Sequence, residues 1–199
     1  MKSHSQRRGR RSIRLRDFDY SQPGAYFVTI CTKDRAPLLG SVDDWQMRLN
    51  EFGYIVRECW CDLPNHYRYV QLDEFVVMPN HIHGILIIGP DVGAGSEPAP
   101  TTPTTRKRHG LPEIIRSFKT FSARRMNERR KTAGFAVWQR NYWEHVIRSQ
   151  KSLDRIRAYI STNAERWHLD RENPERTGVD EIECQTFAAG TYATKSVSA

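Results

Sequence analysis

Two histidines stand two apart at His81 and His83, and a tyrosine and an asparagine stand four apart at Tyr159 and Asn163. On a strand, side chains two apart point to one face. The two histidine α-carbons would lie roughly 6.5–7 Å apart, near enough for both imidazoles to converge on one metal ion. Ile82 would then turn into the opposite packing layer. On a helix, residues four apart share a face, so Asn163 follows Tyr159 along one stripe. Histidine nitrogens with an amide oxygen suit a divalent ion such as Mg²⁺ or Mn²⁺ that keeps positions open for substrate oxygens. A four-ligand structural zinc site matches poorly. Such an ion would polarise a phosphodiester and stabilise charge in the transition state. A phenol, with an ordinary pKa of about 10, would need activation by that cation or by a base. Its attack on phosphorus would give a covalent phosphotyrosine and free a 3′-hydroxyl. That step can reverse onto a new strand end, which suits strand transfer better than degradation. Taken alone, each pattern also fits an ordinary strand histidine pair and an amphipathic tyrosine at the edge of a core.

The elements that must carry these residues follow from periodicity. Residues 25–32 (AYFVTICT) are β-branched and aromatic after Pro23-Gly24, which predicts a strand. Residues 43–61 repeat Trp45, Leu49, Phe52, Ile55, Val56 and Trp60 at helical steps, with Asp43 or Asp44 near the start. Residues 70–78 lead through Pro79-Asn80 into 81–88, which predicts an antiparallel hairpin with the histidines opening its second strand. Residues 90–110, rich in proline and glycine, predict a mobile insert. A second amphipathic helix covers 111–131, an aromatic strand or extended segment 137–147, and a third helix 152–167. On that third helix Leu153, Ile156, Ile160, Ala164 and Trp167 make the apolar stripe. Ser152, Arg155, Tyr159, Asn163 and Arg166 make a polar stripe beside it, so Tyr159 reads as lying between two phosphate-binding arginines. The β-α-β-β-α-β order predicts an α+β, ferredoxin-like antiparallel sheet with helices on one face, plus an additional C-terminal helix carrying Tyr159.

A chain of 199 residues is enough for one good core, since domains typically run about 100–150 residues. The expected organisation is a flexible basic arm over 1–20, a single catalytic domain over 21–167 and a weakly ordered tail over 168–199. The net charge is +8, and it is unevenly placed. Residues 1–20 carry seven Lys/Arg against two acids, and residues 106–131 carry ten against two. Residues 168–199 reverse the balance, with three basic and six acidic. Concentrated basic segments are the footprint of a polyanionic partner, although solvated basic faces look the same. Arg7, Arg8, Arg10, Arg11, Arg14 and Arg16 would contact DNA from the arm, and Arg116, Lys119 and Arg124 from the second helix. Trp138, Tyr142 and Trp143 are candidates for stacking on unpaired bases, about half of them being core if they alternate on a strand. The apolar stretches are too short to span a membrane, where about 20 residues are needed. The N-terminus does not read as a secretory signal, so a cytoplasmic, nucleoid-associated location is expected. Cys31, Cys59, Cys61 and Cys184 are irregularly spaced and read as reduced structural thiols.

The chain resembles the IS200-like single-tyrosine transposases, and most of all their REP-associated branch. The matching stretches are YFVTICT at 26–32, LDEFVVMPNHIHGILII at 72–88, SFKTFSARRMN at 117–127, VWQRNYWEHVIR at 137–148 and IRAYISTNAERW at 156–167. The resemblance implies that His81 and His83 are metal ligands, that Tyr159 is the nucleophile and that Asn163 is the third ligand. Asparagine there, where many insertion-sequence enzymes have glutamine, favours the REP-associated branch. The resemblance also implies cleavage of single-stranded DNA beside an imperfect hairpin through a 5′-phosphotyrosine. A monomer is then favoured over a homodimer that exchanges its tyrosine helices. The alternatives left open are a catalytically silent module that binds hairpin DNA or RNA, and a phosphodiesterase that uses water.

Overall fold

A computed structural model describes residues 18–90 and 108–187. The arm arginines Arg7 to Arg16, most of the 90–110 insert and the end of the tail lie outside the described residues. Four strands, β1 (Gly24–Cys31), β4 (Val70–Val77), β5 (His81–Ile88) and β6 (Trp143–Ile147), form an antiparallel sheet in the order β4-β5-β1-β6. Between β1 and β4 lie a small hairpin, β2 (Gly40–Asp43) with β3 (Gln46–Leu49), then helix α1 (Glu51–Cys61) and the short α2 (Leu63–His66). Helix α3 (Leu111–Arg129) joins β5 to β6, and α4 (Gln150–Ser161) follows β6. A 3₁₀ turn (Ala164–Leu169) and α5 (Glu181–Phe187) complete the described chain.

Strand alternation sorts the side chains into two layers. Ile82, Leu86 and Ile88 of β5 pack with Val28 and Ile30 of β1 against Val56 and Trp60 of α1 and Ile114 and Phe118 of α3. The other face carries Phe27, Ile85 and Ile147 under Ile156, Tyr159 and Ile160 of α4, with Phe187 of α5. The histidines alternate with the first set, so they face α4. Gly84, which follows His83, allows α1 to approach: a β-carbon there would lie 2.4 Å from Trp60 Cζ2.

The structure redraws three segments. The helix expected from residue 43 begins at Glu51, because the Asn50 side chain caps it by accepting from the Phe52 and Gly53 N–H groups, each at 3.0 Å. The residues before it form the β2–β3 hairpin, whose two-residue turn is Asp44-Trp45 at φ 50° and 63°. Left-handed hairpin turns ordinarily carry glycine or asparagine, so this turn has no sequence signature. The extended stretch expected over 137–147 pairs with β1 at Trp143–Ile147 and through a single bridge from Trp138 to Thr32. The helix expected over 152–167 starts at Gln150, capped by Ser149, and ends at Ser161.

The largest difference lies in residues 168–187, expected as part of a weakly ordered tail. They fold back across the α4 side of the sheet, with Asp170, Glu172, Asp180, Glu183 and Phe187 all buried. Their composition hides this, because acidic residues held by ion pairs and histidines take the place of an apolar stripe. Among the described residues no helix is long and apolar enough to cross a membrane.

Candidate metal centre and nucleophile

β5 places His81 opposite Cys31 and His83 opposite Thr29 of β1. His81 Nδ1 lies 2.9 Å from Asn80 Oδ1. The other end of that amide fixes its orientation, since Asn80 Nδ2 donates to the carbonyls of Arg35 (3.1 Å) and Glu172 (2.7 Å). An amide oxygen only accepts, so His81 Nδ1 carries the hydrogen and the neutral ring keeps a lone pair on Nε2. Burial pushes the His81 pKa down to about 4, so the ring is neutral near physiological pH. Thr29 Oγ1 lies 2.9 Å from His83 Nδ1, and Phe27 stacks on the His83 ring with centroids 5.3 Å apart. The two Nε2 atoms consequently face each other at 3.0 Å.

A third ligand-type group comes from the segment read as tail. Asp170 Oδ2 lies 3.7 Å from His81 Nε2 and 3.9 Å from His83 Nε2. The His81, His83 and Asp170 ligand atoms all fall within 4.8 Å of one another, and all three residues are buried. Burial pushes the Asp170 carboxyl upward. The two neighbouring imidazoles and the Glu172 N–H outweigh that effect and hold it well below the usual carboxylate range. Asn163 Nδ2 donates to Asp170 Oδ2 at 3.0 Å. A carboxylate only accepts, so the nitrogen end of that amide faces Asp170 and Oδ1 is left over. Asn163 Oδ1 is buried with no hydrogen-bond partner. An orphaned buried acceptor costs about 1–3 kcal/mol. A divalent cation would give it a partner. The residues present therefore fit such an ion: two imidazole nitrogens, a carboxylate and a spare amide oxygen.

Tyr159 is brought to the same place. Its Oη lies 3.3 Å from His83 Nε2. The expected polar stripe is not a solvent stripe, because Tyr159 is 1% exposed and Asn163 0%. Arg166 does not act as a loose phosphate clamp. Its guanidinium lies over the Tyr159 ring at 5.0 Å, donates to the Tyr159 carbonyl at 2.8 Å and pairs with buried Asp180. Phe187 meets the Tyr159 ring edge-on at 5.4 Å. Arg157, two residues before the tyrosine, ties α4 to β4 through Asp73, at 2.8 Å and 2.6 Å.

The remaining candidates lie elsewhere. Arg116 pairs with Glu113 and Arg124 with Glu128 on the outer side of α3. Lys119 Nζ is half-buried and donates to the carbonyls of Gln139, Arg140 and Asn141. Burial lowers its pKa to about 8. Arg155 is exposed on α4. Trp138 and Tyr142 are 8% exposed, so neither presents a ring to a strand of DNA. The four cysteines are free thiols. Sequence reasoning missed Asp170, which no motif marks, and read Asn80 only as a turn residue.

No family model matches the chain. An uncharacterized protein of Haemophilus influenzae (strain ATCC 51907 / DSM 11121 / KW20 / Rd) is 41% identical over 165 residues, 81% of this chain and 92% of the relative. A second protein of that strain, named "Putative REP-associated tyrosine transposase", is 28% identical over 145 residues, 73% of this chain and 72% of the relative. The chain is homologous to a REP-associated tyrosine transposase of the IS200-like kind. Two solved structures are similar. One, described as a REP-associated tyrosine transposase bound to a REP hairpin, has a TM-score of 0.49 at 20% identity, covering 73% of this chain and 69% of that one. The other, described as "a putative transposase from deinococcus radiodurans r1", has a TM-score of 0.42 at 21% identity, covering 74% and 95%.

Proposed function

We propose that this chain is a metal-dependent single-stranded DNA endonuclease and strand transferase that acts at hairpin DNA through a covalent 5′-phosphotyrosine on Tyr159. The observation that carries this reading is the Tyr159 hydroxyl, 3.3 Å from His83 Nε2 at the edge of the buried His81–His83–Asp170 group. His81, His83 and Asn163 would hold the ion, with Asp170 as a further ligand, and Mg²⁺ or Mn²⁺ suits this mixed set. When bound, the ion supplies Lewis-acid stabilisation of charge on a phosphodiester. The chain supplies the rest. The Tyr159 oxygen forms a bond to phosphorus as the bond to the 3′ oxygen breaks. The phenol loses its proton and the departing oxygen gains one, which leaves a free 3′-hydroxyl. Arg166 holds the ring and backbone of Tyr159 so that the hydroxyl stays aimed at the histidines. The strand order β4-β5-β1-β6 supports a ferredoxin-like reading of the sheet, and it sets β5 beside β1 so that both contribute to the site.

Tyr159, His81 and Asn163 are almost fully buried, so a phosphodiester reaches them only when residues 168–187 move. Tyr159 faces histidines of its own chain, which supports a monomer cutting in cis. The basic arm and the outer arginines Arg116, Arg124 and Arg155 would hold the hairpin's phosphates, and the work would be done on the chromosome in the cytoplasm.

The test is a labelled hairpin with single-stranded flanks, incubated with the protein in Mg²⁺ or Mn²⁺. A covalent protein–DNA adduct is expected, lost in Tyr159→Phe while binding persists. An adduct formed by the Phe variant would remove the tyrosine from its role. Binding without cleavage on any hairpin would favour the silent binding module. Hydrolysed product without adduct would favour a phosphodiesterase that uses water.

A further inference from the structure

The β2–β3 hairpin ends in a tryptophan in an unusual backbone state. Asp44 and Trp45 both lie in the left-handed region, at φ 50° and 63°. A bulky residue there is a genuine outlier, and strain of this kind gathers at functional positions. The ring is not hidden by way of compensation, since Trp45 is 61% exposed. One edge rests on His168, with centroids 5.3 Å apart and planes at 70°. His168 Nδ1 is buried with no hydrogen-bond partner. The next ring along the chain, Trp167, lies 6.0 Å from His81. Asp170, two residues beyond His168, reaches the histidine pair. The consecutive residues Trp167 and His168 therefore link the exposed Trp45 to the metal-ligand group.

Among the described residues, the aromatic candidates of residues 138–143 and the other exposed large rings are poorly placed for a strand entering this site. Trp138 and Tyr142 are buried, and Trp143 packs on Phe27 at 5.5 Å and Phe187 at 5.0 Å. The exposed rings Tyr54, Phe121 and Phe135 belong to α1, α3 and the loop after α3, on the other side of the sheet. Arg48, on β3 beside the tip, has a 62% exposed side chain and only a 3.7 Å contact with Asp43, so its charge remains open to a phosphate. An exposed indole and an exposed cation on one hairpin can together hold an unpaired nucleotide, with the base on the ring and the phosphate on the charge.

We propose that Trp45 is the stacking platform for an unpaired nucleobase of the DNA strand that Tyr159 cuts. The assignment rests on the function proposed above. The experiment compares two probes, a stem-loop DNA with a short mixed-sequence single-stranded flank and the same stem-loop without it. Trp45→Ala should weaken binding of the flanked probe about tenfold and leave the bare stem-loop and the melting temperature unchanged. Trp45→Phe, which keeps a ring, should recover most of the loss. Wild-type tryptophan fluorescence should be quenched by the flanked probe, and the quenching should shrink in Trp45→Phe. Equal affinity of Trp45→Ala and wild type for the flanked probe overturns the platform. So does a loss shared by both probes or one that follows a fall in melting temperature. The Tyr159 adduct assay separates the two readings. An adduct with normal flank binding by Trp45→Ala removes the platform and keeps the enzyme. A flank-specific loss without any adduct keeps the platform and removes strand transfer. A wild-type protein that binds neither probe removes both.

Discussion

Asn80 joins His81 to Glu172. Its Oδ1 lies 2.9 Å from His81 Nδ1, and its Nδ2 donates to the Glu172 carbonyl at 2.7 Å. One amide therefore sets which nitrogen of His81 keeps its lone pair, and also holds down the segment that covers the site. Partners that orient a histidine ligand in this way typically contribute 10–100-fold, roughly, to metal affinity. Asn80→Ala should lose about that much Mn²⁺ affinity, read by titration followed by electron paramagnetic resonance. Asn80→Asp keeps an acceptor for His81 but loses both donated bonds. It should recover much of the affinity while exposing residues 170–176 to trypsin. Unchanged Mn²⁺ affinity in Asn80→Ala would show that His81 needs no such support.

Glu183 gives α5 a dependence on pH. Burial raises its carboxyl from an ordinary 4.5 to about 7; Arg171 at 3.4 Å works against this, and Asp170, Asp180 and Glu172 add to it. The folded state thus binds the proton more tightly than the unfolded state. The stabilisation is complete below 4.5 and is lost as the pH rises through about 7. Docking of residues 168–187 should be firmer at about pH 6 than at about pH 8, measured by amide exchange in α5. Glu183→Gln should flatten that difference. A wild-type exchange pattern insensitive to pH after correction for the intrinsic rate would contradict it.

Gly84 is a packing requirement set by Trp60. The added β-carbon of Gly84→Ala would meet Trp60 Cζ2 at 2.4 Å, and the indole is fully buried. Overpacking of this sort typically costs about 1–3 kcal/mol, which should appear in chemical denaturation. Trp60→Phe in the same chain should return part of the loss by vacating the indole's outer ring. A double variant no more stable than Gly84→Ala alone would mean that the clash lies elsewhere.

The parts of this protein legible in the sequence are those governed by local periods. Alternation over 81–88 put His81 and His83 on one face and Ile82 on the other, and the structure keeps both assignments. Helical spacing set Asn163 on the side of Tyr159, and both side chains reach the histidine group, although the helix itself stops at Ser161. The order of strands and helices was readable for the same reason, since each amphipathic stripe announces its own element. What only the tertiary structure decided depends on segments far apart in the chain. Asn80 and Glu172 are 92 residues apart, and nothing local to either shows that they meet. Asp170 sits in a polar stretch whose order comes from the charges and histidines it finds, not from an apolar pattern. Tyr159 reads as a half-exposed helical residue until Phe187 and Arg166 close over it. The Asp44-Trp45 turn carries no glycine or asparagine to betray it, and only pairing of β2 with β3 holds it in place. Periodicity fixes which way a side chain faces within its own element, whereas its neighbours across the fold are fixed by the path of the whole chain.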